Sequence, residues 1–259
     1  MKKINIRVIA PIVAALLTFS TSSCVSDLDT EPISPKIDLE STPEGVFTKC
    51  YAVLAMAGNG DDDSGDKNSD VKGYSDEGMT NLIRLMWNAN ELTTDEAMCG
   101  WSDNGLDQLV VNTYDDSNQM MKAYFSRVGL AISNCNLYLS EYSDYDATMT
   151  AEIRFLRALY YSIWLDAFGN VPFSETVGSA TRYTQAELFD WLVNELKTNV
   201  EPNLSAPKAK KSGDANYGRV DKAAAWLLLS RLYLNAEVYS GTAHWEEARS
   251  YAEQVIKSD

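Results

Sequence analysis

A small set of residues in the first half of the chain carries the types that could do chemistry. Trp101 and Asn104 stand three apart in an aromatic, polar stretch, and Arg84 and Asp76 lie shortly before them. An indole face stacks on the C–H surface of a pyranose ring, and planar polar side chains bridge neighbouring hydroxyls, so the set suits carbohydrate. Taken alone, Trp101 fits a core position better than a ligand platform.

Catalytic chemistry finds less support. With His244 the only histidine, there is no histidine-based zinc cluster and little scope for a triad. Gly73-Tyr74-Ser75-Asp76-Glu77 misses a nucleophile elbow, because Glu77 stands where the second glycine belongs. No phosphate-cradling glycine motif is present. Adjacent carboxylates such as Asp95 and Glu96 are the background of so acidic a sequence. Asn59, Asp61 and Asp63 imitate the start of a calcium loop, but Ser64 replaces its glycine and Asp70 its terminal glutamate. We expect no enzyme, no metal and no cofactor.

Composition narrows the partners. The formal charge of −15 repels phosphate backbones, which argues against nucleic acid and leaves neutral ligands unaffected. Four cysteines show no metal spacing. Cys50 and Cys135 fall inside apolar helical patterns and read as small buried hydrophobes, and no disulfide is expected among Cys50, Cys99 and Cys135.

The elements that must position these residues follow along the chain. Residues 1–23 have the basic, apolar and small-polar order of a secretory signal, ending Thr21-Ser22-Ser23-Cys24. That end looks like a bacterial lipobox, which would make Cys24 the acylated first residue of the mature protein, followed by a Pro-containing tether to residue 40. Ser41 or Thr42, with Pro43 and Glu44, opens a helix burying Val46, Phe47, Cys50, Tyr51, Val53 and Leu54.

Residues 58–116 read as the loop-rich ligand region. Gly58 to Gly73 is a solvated acidic loop, and Asp76 to Gln108 has no clean period, so we expect a long loop with short helical turns. From 117 to 259 the pattern is helical: Met120–Tyr142, then 151–168, which Gly169 stops as a left-handed cap and Pro172 keeps stopped. Arg154 and Arg157 share a face of that second helix and could pin carboxylates on a neighbour. Thr184 with Glu187 forms a capping box for a helix through Leu196. After the Pro202–Gly218 loop come Val220–Val238 and Trp245–Lys257, which match a tetratricopeptide helix pair, with 120–142 and 151–168 a looser copy. The last helix ends close to Asp259 with a face that wants another neighbour, the expectation for a chain truncated before its next helix.

Four strings carry a resemblance: Asn88–Glu96 (N-x-N-E-L-x-T-D-E), Trp101–Asn104 (W-x-x-N), Glu152–Tyr161 (E-I-R-F-L-R-A-L-Y-Y) with the F-G-x-x-P-F turn after it, and Gly218–Leu228 (G-R-V-D-K-A-A-A-W-L-L). They resemble the N-terminal part of the SusD/RagB family of Bacteroidetes outer-membrane nutrient-binding lipoproteins, and within it the starch-binding members. The acidic Ser26-Asp27-Leu28-Asp29 after Cys24 resembles that group's surface-export tract. The resemblance implies an all-α fold of stacked tetratricopeptide-like pairs with long irregular binding loops. It implies non-catalytic capture of starch or another α-glucan, a lipid anchor in the outer membrane, exposure at the cell surface and delivery to a SusC-type TonB-dependent transporter. By position, Trp101 would be the stacking aromatic, with Asn104, Arg84 and Asp76 its hydrogen-bonding partners. Two further aromatics of that family's binding arc belong to a C-terminal half lying beyond these residues. Another glycan, or a repeat scaffold that binds proteins and no sugar, are the alternatives.

Overall fold

The structure is a computed structural model that describes residues 41–58, 69–74 and 76–258. The leader 1–23, Cys24 and the tether to residue 40 lie outside the described residues, as do Asn59, Asp61, Asp63 and Ser64. One compact unit begins at Thr42. Among the described residues, no helix is long and apolar enough to cross a membrane.

Helix α1 (Pro43–Ala52) is capped by Thr42, whose side chain accepts from the Gly45 N–H at 3.1 Å, with proline at the first turn. Of the two caps that the sequence offers, Ser41 and Thr42, the helix uses the second. Glu44 accepts a bond from the Tyr145 hydroxyl, which holds its carboxyl below the usual range. A 3-10 turn (Glu77–Thr80) leads into α2 (Leu82–Glu91), followed by the short α3 (Leu106–Val110).

The long loop expected over Asp76–Gln108 is thus corrected to a ten-residue amphipathic helix with short turns around it. Its buried stripe is Leu82, Leu85 and Asn88, continued by Leu92. Ile83 and Trp87, exposed on the other side, obscure that period in the sequence.

The scaffold is α4 (Gln119–Glu141) packed along α5 (Ala147–Phe168). Helix α5 starts before residue 151, capped by Asp146 at the Met149 N–H (2.7 Å). It is buried almost all round: Ile153, Leu156, Tyr160 and Leu165 are fully enclosed. Gly129 sets the close approach of the pair, since a Cβ there would lie 3.2 Å from the Trp164 ring. Trp164 stacks on Phe125 with ring centroids 4.6 Å apart and donates to the Phe125 carbonyl at 3.2 Å.

Gly169 ends α5 with the positive φ expected of it, 71°, although its ψ of −94° falls outside the left-handed helical region. The segment after it is not a bare turn. Strands β1 (Val171–Phe173) and β2 (Thr181–Tyr183) pair antiparallel, Val171 opposite Tyr183, in an otherwise all-α fold. Thr184 and Glu187 then form the expected capping box of α6 (Gln185–Glu195), which continues through a π turn to Val200.

Arg154 and Arg157 do pin a carboxylate on the neighbouring helix. Both reach Glu195, at 2.9 and 3.1 Å, and Arg157 also takes Glu175 at 3.1 Å.

The last pair is α7 (Lys222–Leu234) against α9 (Trp245–Ile256), with the short α8 (Ala236–Ser240) between them. The single helix expected over Val220–Val238 is broken at Asn235, whose side chain turns back onto the Arg231 carbonyl at 3.0 Å. Leu227, Leu234, Val238, Trp245 and Ile256 of this pair face solvent. Cys50 and Cys135 are fully enclosed free thiols, and burial together with the Cys50 thiol beside it pushes the Cys135 thiol well up.

Candidate functional site

The proposed ligand residues hang on two caps. Asp76 caps the 3-10 turn by accepting from the Gly78 N–H at 2.8 Å. Asn81 caps α2, accepting from the Arg84 N–H at 3.1 Å while its amide donates to the Ala55 carbonyl at 2.7 Å. Asn and Asp are favoured at such positions because one short side chain satisfies a helix's orphan N–H. Arg84 therefore projects from the first turn of α2, and its guanidinium pairs with Asp103.

That pair is half-buried, with side-chain exposures of 27% and 25%. Gly78 marks where the charges converge: a Cβ on it would lie 3.0 Å from Asp76 Oδ1 and 3.7 Å from Arg84 Nη1. A side chain there would crowd Asp76 and lie in ordinary contact with Arg84, so Asp76 and Arg84 both border Gly78, and Asp103 joins them through Arg84.

Trp101 and Asn104 flank Asp103 in the chain, and both are exposed, Trp101 by 75%. An indole this open is outside the core. The stretch is fixed at its far end. Gly105 takes φ 95°, and a Cβ there would come within 2.9 Å of Asn118 Nδ2. Asn118 donates to the Gly105 carbonyl at 3.0 Å and to Gln108 Oε1 at 2.8 Å while capping α4 at the Met121 N–H.

Chemically, the cluster offers donors and acceptors side by side, and Trp101, close to Asp103 in the chain, an exposed aromatic face; these are the group types that the hydroxyls and C–H face of a sugar need. Among the described residues, no group of His, Cys, Asp and Glu is arranged to hold a metal. Asp70, the last member of the calcium-like spacing, is ion-paired to Arg127 at 2.6 Å.

Two clefts share no lining residue with the cluster. One of about 460 Å³ lies under the loop before α7, where Arg219 is bound in a fork by Glu152 at 2.5 to 3.1 Å. The other, about 350 Å³, lies between α2, α4 and α5, with Tyr124, Asp166 and Arg231 in its wall.

The sequence reading had Asp76, Arg84, Trp101 and Asn104 but missed Asp103, Gly78 and the two asparagine caps. The caps were findable, since Asn81 and Asn118 each directly precede an apolar helical stripe. Asp103 was not: in so acidic a chain nothing local links it to an arginine 19 positions away.

No family model matches the chain. Over 251 residues, 94% of its length, it is 37% identical to the starch-binding protein SusD of Bacteroides thetaiotaomicron, of which it spans 44%. Among solved structures, the fold is similar to surface glycan-binding protein A from Bacteroides uniformis, with TM-score 0.61, 20% identity, and 83% of this chain and 46% of that one covered. It is also similar to a SusD-like carbohydrate-binding protein from Bacteroides fragilis, with TM-score 0.58, 21% identity and coverages of 83% and 40%. A laminarin-binding SusD-like protein matches with TM-score 0.61, 19% identity and coverages of 84% and 43%. These structural likenesses speak for the fold, and the chain spans less than half the length of each of these proteins. The identity to SusD covers nearly the whole of this chain, and on that ground the chain belongs to the SusD/RagB family.

Proposed function

We propose that this chain is the N-terminal part of a cell-surface glycan-binding protein that captures starch-type α-glucan without cleaving it. The observation that carries the reading is Trp101, exposed by 75% and close in the chain to Asp103 of the Arg84–Asp103 pair. The indole provides a flat apolar platform for a sugar ring. Arg84 has N–H groups beyond the one that meets Asp103, and Asn104 and Asp76 add an amide and a carboxylate, so adjacent hydroxyls can be read as donors and acceptors. The relative's name as a starch-binding protein supports α-glucan as the ligand class.

On the same reading Cys24 carries the lipid that anchors the protein in the outer membrane. The captured glycan passes to a SusC-type TonB-dependent transporter, and the helix pairs from α4 onward supply the scaffold and part of the docking face. Catalysis has no role in this scheme: binding and release are all that delivery requires.

Affinity electrophoresis of the full-length protein through gels containing amylopectin, with xylan and mannan as controls, tests the assignment. Retardation by amylopectin alone is expected. Trp101→Ala should weaken it by about 2 kcal/mol or more, roughly thirtyfold, as for an aromatic anchor. Retardation by xylan or mannan instead points to another glycan. No retardation in any gel leaves a helical scaffold for protein partners.

A further inference from the structure

Arg127 lies midway along α4 with its side chain fully enclosed, where an uncompensated charge would be very costly. None of the bonds that compensate it comes from α4's packing partner α5. Its Nε donates to the Thr80 carbonyl at 2.6 Å, and its Nη2 donates to the Ala57 carbonyl at 2.8 Å and the Thr80 hydroxyl at 2.9 Å. The same nitrogen pairs with Asp70 at 2.6 Å. Ser69 draws these groups closer, with its hydroxyl 2.5 Å from the Thr80 hydroxyl and bonded to the Ala57 carbonyl at 3.3 Å. One side chain from the scaffold thus ties together three points, 57, 70 and 80, of the chain leading to the ligand cluster.

The place it grips matters most. Thr80 is the last residue of the turn that Asp76 caps, and the next residue, Asn81, caps the helix bearing Arg84. Asp76 and Arg84 therefore stand on either side of a single bolted residue, and a shift of Thr80 moves one against the other.

We infer that Arg127 is a positioning residue of the glycan site: it touches no ligand, but sets where Asp76 and Arg84 stand relative to Asp103 and Trp101. The inference rests on the reading of those residues as ligand contacts. Lysine cannot substitute. It keeps the charge but offers one flexible ammonium in place of a planar fork, so it cannot serve Thr80, Ala57 and Asp70 together.

The test compares Arg127→Lys and the milder Thr80→Val with wild type in the full-length protein. Two readouts are taken: retardation in amylopectin gels, and amide hydrogen exchange over residues 78–85 against that over α7 and α9. We expect affinity to fall about tenfold or more in Arg127→Lys, the equivalent of at least one lost hydrogen bond. Exchange should quicken over 78–85 and stay unchanged in α7 and α9, with Thr80→Val showing the same pattern to a smaller degree. Unchanged affinity despite a loosened segment overturns the inference, as does exchange that quickens equally in α7 and α9, the mark of a purely structural arginine. Should Arg127→Lys fail to fold, Thr80→Val decides by the same two criteria. Should wild type itself go unretarded, the glycan reading falls, and exchange alone then decides whether Arg127 governs the segment: local quickening supports that, none or uniform quickening overturns it.

Discussion

Between Gln119 and Ile256 the chain buries whole helix faces, whereas between Ser69 and Asn118 it buries a narrower stripe, Leu82, Leu85, Leu92, Leu106 and Leu109, and is placed on the scaffold by a few polar hooks as well. Helix α5 encloses Ile153, Leu156, Tyr160 and Leu165 completely, and each such side chain gains from many neighbours at once. The earlier stretch adds to its stripe the Tyr74 hydroxyl on the Gln119 carbonyl (3.1 Å), Arg127 on Thr80, and Asn118 on Gly105. Burial is non-directional and distributed, so it fixes whether the protein folds. Hydrogen bonds are directional and few, so they fix where a loop stands. One region should register substitutions as stability, the other as ligand affinity.

The strongest way to break this comparison is Leu156→Ala. Truncation in the centre of α5 should cost about 3 to 5 kcal/mol through lost transfer energy and a cavity, read as a fall in the thermal midpoint. A melt within a degree or two of wild type would mean that the scaffold is not the seat of stability.

A smaller effect, with a pH signature, is expected at the ionic knot around Glu195 inside the scaffold. Burial alone would raise the Glu195 carboxyl, but hydrogen bonds from Asn199 and Arg154 and the charge of Arg157 outweigh it and hold it below its ordinary value. A folded pKa below the unfolded one adds stability above the unfolded value of about 4.3, and that stability is lost as pH falls through the folded value. Arg157→Met removes one of the compensating charges. The variant should lose about 2 kcal/mol at neutral pH, and its deficit against wild type should shrink as pH falls below about 4.3 and Glu195 takes up a proton in both. Urea denaturation at pH 7 and pH 3 measures both, and a deficit that stays the same at the two pH values would remove Glu195 from the explanation.

The smallest stability change sharpens the contrast from the other side. Asp103→Asn breaks a half-exposed pair, so the melt should move by less than about 1 kcal/mol. Amylopectin retardation should nevertheless weaken, because Arg84 loses the group that orients it. A large drop in melting with intact retardation would reverse the roles of the two regions.

What could be read in the sequence follows the same division. The helices of the scaffold, the Thr184–Glu187 capping box and the carboxylate held by Arg154 and Arg157 were legible, because each depends on spacing within one helix or on a single strong stripe. Helix α2 was not, because the exposed Ile83 and Trp87 overlay its buried face with a second apolar signal. The break at Asn235 was hidden too, since asparagine inside an apolar run forbids nothing until its side chain turns back on the backbone. In the site, the residue types were visible and their mutual placement was not. Arg84 with Asp103, and Arg127 with Thr80, are contacts between distant positions that no local pattern encodes.

One feature of the stretch beside Trp101 lends itself to experiment. Cys99 is a half-buried free thiol two positions before the indole, while Cys50 and Cys135 are sealed in the core. In a form lacking Cys24, a maleimide fluorophore should therefore react first at Cys99, and without any engineered residue the natural chain would carry a reporter for ligand occupancy. Its emission would follow capture and release in real time in solution, giving the kinetics that retardation in a gel averages away.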